Sequence, residues 1–390
     1  MAVYKLFPLK DASLYSFYPV MNTGIDAIIE AGNLNVNVNP VPQVFRYLIE
    51  FDQTEIENII DTKVGSGKAF ASDLKCYVAN AQGVIFDTEL YIYPSSGSWN
   101  NGSGVYLDQP FTVNGVSWIF RNYSGSTAEG ATDWETNIPA LSTYVTASFQ
   151  TGSAGGGNWY TGSNDPNNLN VEASQSFTLR SSKDLNAPVT DIVNIWYSSS
   201  KNIGGYTNIV NDGFIIKWED SVEFNSSNAI NPVMQFYAVD TNTIYPPVLE
   251  IKWDDQLFNT GSLPALATSD IFVALDNNPG VFFSESINRF RLNCRPDYPV
   301  RRFMTSSVDT INHYLPDGSL WAIKDLDTNE FVINFDTEYT KISCDSTSNY
   351  FDVYMTGLQP ERYYKILIQT TISGSTLVKD DNYYFKVVNG

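Results

Sequence analysis

Histidine is almost missing from this chain: His313 is the single one among 390 residues. That excludes His-rich metal sites and makes any nucleophile–histidine pair depend on one side chain. His313 stands beside Tyr314-Leu315-Pro316, a context that reads as a turn, so no catalytic residue is assigned. Cysteine is scarce as well. Cys76, Cys294 and Cys344 are odd in number and widely spaced, which gives neither a disulfide framework nor a zinc pattern. They read as buried free thiols in strands. Basic charge is short: 23 Lys and Arg face 43 Asp and Glu, a net charge of −20 and a pI near 4.3. A chain this acidic lacks the basic face that nucleic acid requires, and its sign disfavours anionic lipid. No apolar run approaches the ~18 residues of a membrane helix. The start, Met1-Ala2-Val3-Tyr4-Lys5-Leu6-Phe7-Pro8, has no apolar core of signal-peptide length. The expectation is a protein made in a cytoplasm, exported, if at all, by another route.

What is abundant is strand and turn chemistry. Aromatics make up 14% of the chain and charged residues only 17%. Tyr, Phe, Val, Ile and Thr favour strands, and Asn, Gly and Ser favour the turns between them. The length exceeds one usual core, so two domains are expected. The reading is a mainly β protein, with an N-terminal β-sandwich over 1–255 and a C-terminal β-sandwich over 256–390.

Phe177–Asp255 organises the first domain. Pro188 fits the first turn of a helix, and Val189, Ile192, Val193 and Trp196 recur at helical spacing. This helix should end in the Ser198–Ser200 run. Asn211-Asp212-Gly213 signals a turn before the strand Phe214–Trp218, and Met234–Val239 and Val248–Trp253 read as strands. Upstream, Val3–Phe7, Leu14–Tyr18, Phe45–Asp52, Asp73–Val78, Val84–Phe86 and Glu89–Tyr93 are expected strands. Ile56, Ile59 and Ile60 mark a short helix within Gln53–Asp61, while Ile25–Glu30 fits helix or strand equally. After the connector Gly261–Pro264, strand-like runs recur about every ten residues to Tyr383–Val387, a sandwich pattern.

Between about 94 and 175 the character changes. Ser95-Ser96-Gly97-Ser98, Asn100-Asn101-Gly102, Ser124-Gly125-Ser126 and Gly152–Gly157 interrupt the chain every few residues. Among them stand Trp99, Tyr106, Trp118, Trp134, Trp159 and Tyr160. Disorder would not retain so many tryptophans, so this is an ordered, loop-rich insertion. Two expectations compete: the four tryptophans fold back onto the sandwich, or they form an exposed aromatic patch at an interface. Arg295 and Arg301-Arg302 form a rare basic cluster able to receive an acidic neighbour. These nine residues are the candidate interface.

Other chemistry is weak. Asp325-Leu326-Asp327-Thr328-Asn329-Glu330 alternates oxygen ligands but lacks the glycine and spacing of a calcium loop, and reads as a hairpin turn. Asp254-Asp255 and Asp380-Asp381 could serve glycoside hydrolysis, yet such pairs are common by chance in so acidic a chain. Gly155-Gly156-Gly157 precedes Asn158-Trp159 rather than a helix, unlike a phosphate loop. No catalytic residue, metal ligand or cofactor is expected.

Phe45-Arg46-Tyr47-Leu48-Ile49-Glu50-Phe51-Asp52, Val189-Thr190-Asp191-Ile192-Val193, Asp212-Gly213-Phe214-Ile215-Ile216 and Pro247-Val248-Leu249-Glu250-Ile251, in that order, resemble the DNRLRE-type jelly roll. That module is an antiparallel β-sandwich similar to carbohydrate-binding modules. The chain departs from it at Tyr197-Ser198-Ser199-Ser200, where the module commonly closes its helix with Ser-Gly. A wider series includes Asp11-Ala12-Ser13-Leu14-Tyr15, Asn22-Thr23-Gly24, Gly115-Val116-Ser117-Trp118, Trp134-Glu135-Thr136-Asn137 and Asp240-Thr241-Asn242-Thr243. It continues through Tyr339-Thr340-Lys341-Ile342, Leu358-Gln359-Pro360-Glu361-Arg362-Tyr363-Tyr364-Lys365 and Tyr383-Tyr384-Phe385-Lys386-Val387. Over nearly its whole length the chain is similar to virion structural proteins of T4-like contractile-tailed phages of marine bacteria. The resemblance implies a non-enzymatic component of the virion, in tail, baseplate, neck or capsid surface. Its partners would be other virion proteins, with a homo-oligomer and a glycan for host attachment as alternatives, and a glycan depolymerase as a further one.

Overall fold

The computed structural model describes residues 2–34, 43–65, 67–85, 87–123, 132–134, 155–160, 171–206, 209–223, 231–276, 278–299 and 311–390. The protein is mainly β, with short helices at Gln53–Ile59, Thr190–Ser200 and Asp220–Glu223. It divides into two compact units. One comprises 6–63 and 71–250; the other comprises 251–390 together with 1–5 and 64–70. They are called here the N-terminal and C-terminal units.

The N-terminal unit is built on the strand Gln43–Glu50. Along one edge Lys10–Tyr15 pairs with it antiparallel, from Lys10 opposite Glu50 to Tyr15 opposite Phe45. Its other partnerships are shared: Phe214–Trp218 takes Tyr47 to Ile49, and Ile28–Leu34 takes Gln43 to Phe45. The sheet then extends through Thr88–Pro94 to Ala173–Phe177 in one direction, and through Val233–Tyr237 to Val78–Gln82 in the other. Central strands of such a sheet are covered on both faces, and Phe214–Trp218 is buried throughout, apolar at every position but Lys217. On one face Phe214 meets Trp196 and Phe51, and Tyr47 meets Phe236.

Several expected boundaries change. The helix is Thr190–Ser200; Ile192, Val193, Ile195 and Trp196 are its buried apolar side, and it ends within the serine run. Pro188 does not open it. It closes the strand Leu185–Pro188, which pairs antiparallel with Phe70–Cys76. Proline tolerates the end of a strand as well as the start of a helix. Phe17 and Tyr18 leave the strand for a turn, with the Tyr18 amide donating to the Tyr15 carbonyl. Of the run expected at Val84–Phe86, Val84 and Ile85 are outside any strand and Phe86 lies outside the described residues; the strand nearby is Val78–Gln82, half-exposed at the sheet's end, where a strand needs no apolar alternation.

The C-terminal unit is a sandwich. Its four-stranded sheet runs Ile271–Asp276, Ile287–Pro296, Asn349–Tyr354, Ser343–Cys344; its five-stranded sheet runs Val281–Phe283, Ser375–Val388, Tyr363–Ile372, Leu320–Asp325, Phe331–Ile333. Val273, Phe290, Leu292 and Phe351 from the first meet Trp321, Ile366, Ile368 and Phe385 from the second in one core. Trp321 stacks on Phe351 at 5.0 Å and Phe351 on Phe290 at 5.5 Å. The last expected run, Tyr383–Val387, is the end of a longer strand, Ser375–Val388. Its register jumps from Lys379, opposite Ile368, to Tyr383, opposite Ile366. Asp380–Asn382 bulge out between them, with Asn382 at φ +57°.

Candidate functional site

Trp99, Trp118, Trp134 and Trp159 are each at most 4% exposed and form one cluster with Ala12, Leu14, Val44, Leu48 and Ile215. These partners share the second face of the N-terminal sheet, so the described loops of the insertion form a cover over that face. Its loops are fastened by amides. Asn22 donates to the carbonyls of Asn101 and Val116 and accepts from the amides of Gly24 and Gly104. Gly24 sits so close that a Cβ would lie 2.0 Å from the Asn101 oxygen. The Trp99 indole donates to Asp212 O, and the Trp134 indole to Ser117 O. The tryptophans are therefore core groups here, the outcome in which they fold back. Tyr106 stays partly exposed beside Tyr15, and Tyr160 is half-buried.

Beneath this cover lies a buried ionic knot. Arg46 forks Glu223 through Nε and Nη2, both at 2.8 Å, and gives Nη1 to Gly156 O. Lys217 donates to Trp218 O and to Asp220, and pairs with Glu223 at 3.2 Å. Arg46 and Glu223 are fully buried. The guanidinium lies 5.2 Å from both the Trp118 and Trp159 rings. Gly156 adopts φ +86°, and a Cβ there would come 2.8 Å from Arg46 Nη1. All three ammonium protons of Lys217 have acceptors and the carboxylate faces two cations, so the knot holds structure and offers no reactive group.

On the other face of the same strands Asp11 is buried and accepts from the Val239 amide. Burial pushes its carboxyl up to about 8, against that hydrogen bond. Glu30, bonded by Tyr15 and Gln235, is also raised by burial. The unfolded Asp11 carboxyl ionises near its ordinary value of 3.8. Between that value and about 8 the folded state keeps a proton that the unfolded state has released. Stability should therefore fall as pH rises through this window and level off above it, with a slope of at most about 1.4 kcal/mol per pH unit from this group. Denaturant unfolding across the window should show that fall in the wild type and a shallower one in Asp11→Asn. Equal slopes would mean that Asp11 is ionised in the folded state.

The remaining sequence candidates take structural roles. Asp325 accepts from the amides of Asp327 and Thr328 and is forked by Arg362 at 2.6 and 2.7 Å. Burial opposes its ionisation, but Arg362 and the amides outweigh this and hold it below the usual carboxylate range. Its oxygens are thus committed within a hairpin turn. Asp254 caps the Gln256 amide, and Asp380 pairs with Lys365. His313 places Nδ1 3.1 Å from Ile311 O. Cys76, Cys294 and Cys344 are buried, unpaired and all in strands, and burial pushes the Cys294 thiol up to about 12. Among the described residues no group of three or more His, Cys, Asp and Glu is placed to hold a metal ion. Arg301 and Arg302 lie outside the described residues.

An exposed face that sequence reasoning missed lies on the outside of the five-stranded sheet. Two cross-strand rows define it: Val281, Lys386 and Tyr363, then Tyr384, Lys365, Lys324 and Phe331. Phe283 extends it at one edge. Phe283, Tyr384, Tyr363 and Phe331 are 60, 55, 46 and 43% exposed. Lys365 and Lys386 are paired with Asp380 and Glu361. Lys324 has no carboxylate partner among the described residues; it lies 4.4 Å over the Phe331 ring and stands directly opposite Lys365. Like charges directly opposed across strands destabilise a sheet. The signal was present in Tyr383-Tyr384-Phe385-Lys386, where alternate residues face opposite ways.

No family model matches the chain, and no curated protein matches it. Among solved structures, one chain from work on the cell entry of botulinum neurotoxin type C, dependent upon interaction with two ganglioside molecules, aligns at 9% identity. The alignment covers 96% of this chain and 67% of that one, with a TM-score of 0.16. A likeness at that level carries no argument.

Proposed function

We propose that this protein is a non-enzymatic building block of a contractile-tailed phage particle, and that it assembles by burying the outer face of its C-terminal five-stranded sheet. The sequence resemblance supports the location. The observation that carries the mode of action is the face itself: four exposed aromatics around three lysines, in a chain of net charge −20. Exposed apolar patches mark interaction sites, and aromatics with flanking cations suit an acidic partner surface. The occupant is a carboxylate-bearing strip of a neighbouring virion protein. A second copy docked face to face would oppose lysine to lysine.

Phe283→Asp combined with Tyr384→Asp should sharply reduce the amount of this protein in purified particles. The isolated protein should keep its unfolding free energy to within roughly 0.5 kcal/mol per site, because neither side chain is in the core. Undiminished incorporation of the double variant would refute the proposed face.

One observation favours sugar binding as a second reading. The rings of Tyr91 and Tyr93 are parallel to within 10° at 6.0 Å, on half-buried side chains beside Glu89, which holds Tyr91 and Ser174. Such a platform can stack against a pyranose, and a glycan array would separate this reading from the first.

A further inference from the structure

Along Ile287–Pro296 the residues Arg289, Arg291, Asn293 and Arg295 occupy alternate positions on the outer face of the four-stranded sheet. Two of these arginines are satisfied at home. Arg289 forks Asp352 with both bonds at 2.8 Å, and Arg291 forks Asp345 at 3.2 and 2.8 Å. Arg46 and Arg362 fork carboxylates too. Arg295 differs. Its guanidinium lies 4.7 Å over the ring of Phe272, its cross-strand partner, and Nη1 donates to Pro296 O at 3.2 Å. Among the described residues no carboxylate bonds it.

Arg295 lines a recess of about 330 Å³ with Phe272, Asn293, Ile311 and Asn312. Asn312 is committed, accepting from the Cys294 amide and donating to Thr347 O. Asn293 is exposed and its side chain has no hydrogen bond among the described residues. Phe272 and Ile311 expose apolar surface at the walls. The volume is at the lower end for small-ligand sites.

We propose that this recess binds a carboxylate carried on an apolar body. Beyond the N–H given to Pro296 O, the stacked guanidinium keeps in-plane N–H groups for the acid, the kind of contact by which arginine grips carboxylates. The Asn293 amide supplies a further donor, and Phe272 with Ile311 take the attached apolar group. The net negative charge of the chain does not forbid this. Repulsion from distant carboxylates is screened over about 8 Å at physiological salt, while the fork acts at contact. A small aromatic acid and an acidic side chain of a polypeptide present the same group. The site lies on the sheet opposite the proposed assembly face and does not depend on that assignment.

Ligand-observed NMR titration of the intact protein tests it with two matched pairs: phenylacetate against phenylacetamide, and a blocked peptide containing Phe-Glu against its Phe-Gln counterpart. At least one acid should bind and its amide should not. Arg295→Ala and Arg295→Lys should each weaken binding tenfold or more, and Asn293→Leu should weaken it several-fold without touching the cation–ring contact. Binding of phenylacetate alone identifies a small acid as the ligand; binding of the Phe-Glu peptide identifies a polypeptide. Equal binding of acid and amide, unchanged affinity in both arginine variants, or binding of neither acid overturns the proposal.

Discussion

Glu223→Ala should destabilise the N-terminal unit by about 3–5 kcal/mol, because it strands a buried guanidinium and takes one acceptor from a buried ammonium. The carboxylate is fully buried and is the only ion-pair partner of Arg46 among the described residues. Lys217 would keep Asp220 and Trp218 O; Arg46 would keep only Gly156 O and the two indole rings. For a unit of this size the loss corresponds to a melting temperature lower by on the order of ten degrees. Removing all three charges together, with Arg46→Met, Lys217→Met and Glu223→Leu, should recover most of the loss, since an apolar set of similar volume leaves no charge uncompensated. Thermal unfolding of the two variants separates the costs. A loss below about 1 kcal/mol for Glu223→Ala would mean that water reaches the knot.

Trp118→Ala should cost about 3–5 kcal/mol in the same unit, through the apolar contact it removes and the space it leaves. Trp118 packs with Leu14, Leu48 and Ile215, its ring lies over Arg46, and its carbonyl accepts from the Gly156 amide. That glycine in turn accepts from Arg46. The indole and the ion pair thus hold the same few atoms, so the double variant Trp118→Ala/Glu223→Ala should depart from additivity by about 0.5–3 kcal/mol. Additive losses would separate the tryptophan cover from the charges beneath it. Measured by denaturant unfolding, the cycle would show whether the insertion is part of the unit's cooperative structure.

The β-rich run from Phe45 to Asp52 announced the central strand, because its Phe, Tyr, Leu and Ile residues favour a strand even with Arg46 among them. The helix around Trp196 was readable from its spacing, and the C-terminal strands from theirs. Pro188 misled because proline is acceptable in both places where it could stand. Val78–Gln82 was invisible because an outermost strand buries too little to impose a pattern. Strand alternation tells which residues share a face but not what covers that face. Hence the tryptophans could be read as platform or cover, and Tyr384 and Phe283 could not be told from core. Arg46 and Glu223 are 177 positions apart, a distance over which a single sequence carries no local signal.

Residues 1–5 belong to the same compact unit as residues 251–390, which are made long after them. Val3 packs into the same core as Trp321 and Phe385, Tyr4 meets Tyr354 edge-on, and Lys5 donates to Val332 O, 327 positions further along. At ribosomal speeds of about 5–20 residues per second, the beginning of the chain waits on the order of half a minute for that carbonyl to be made. A nascent chain halted short of Val332 therefore lacks both the carbonyl that holds Lys5 and the Phe385 side of the core around Val3.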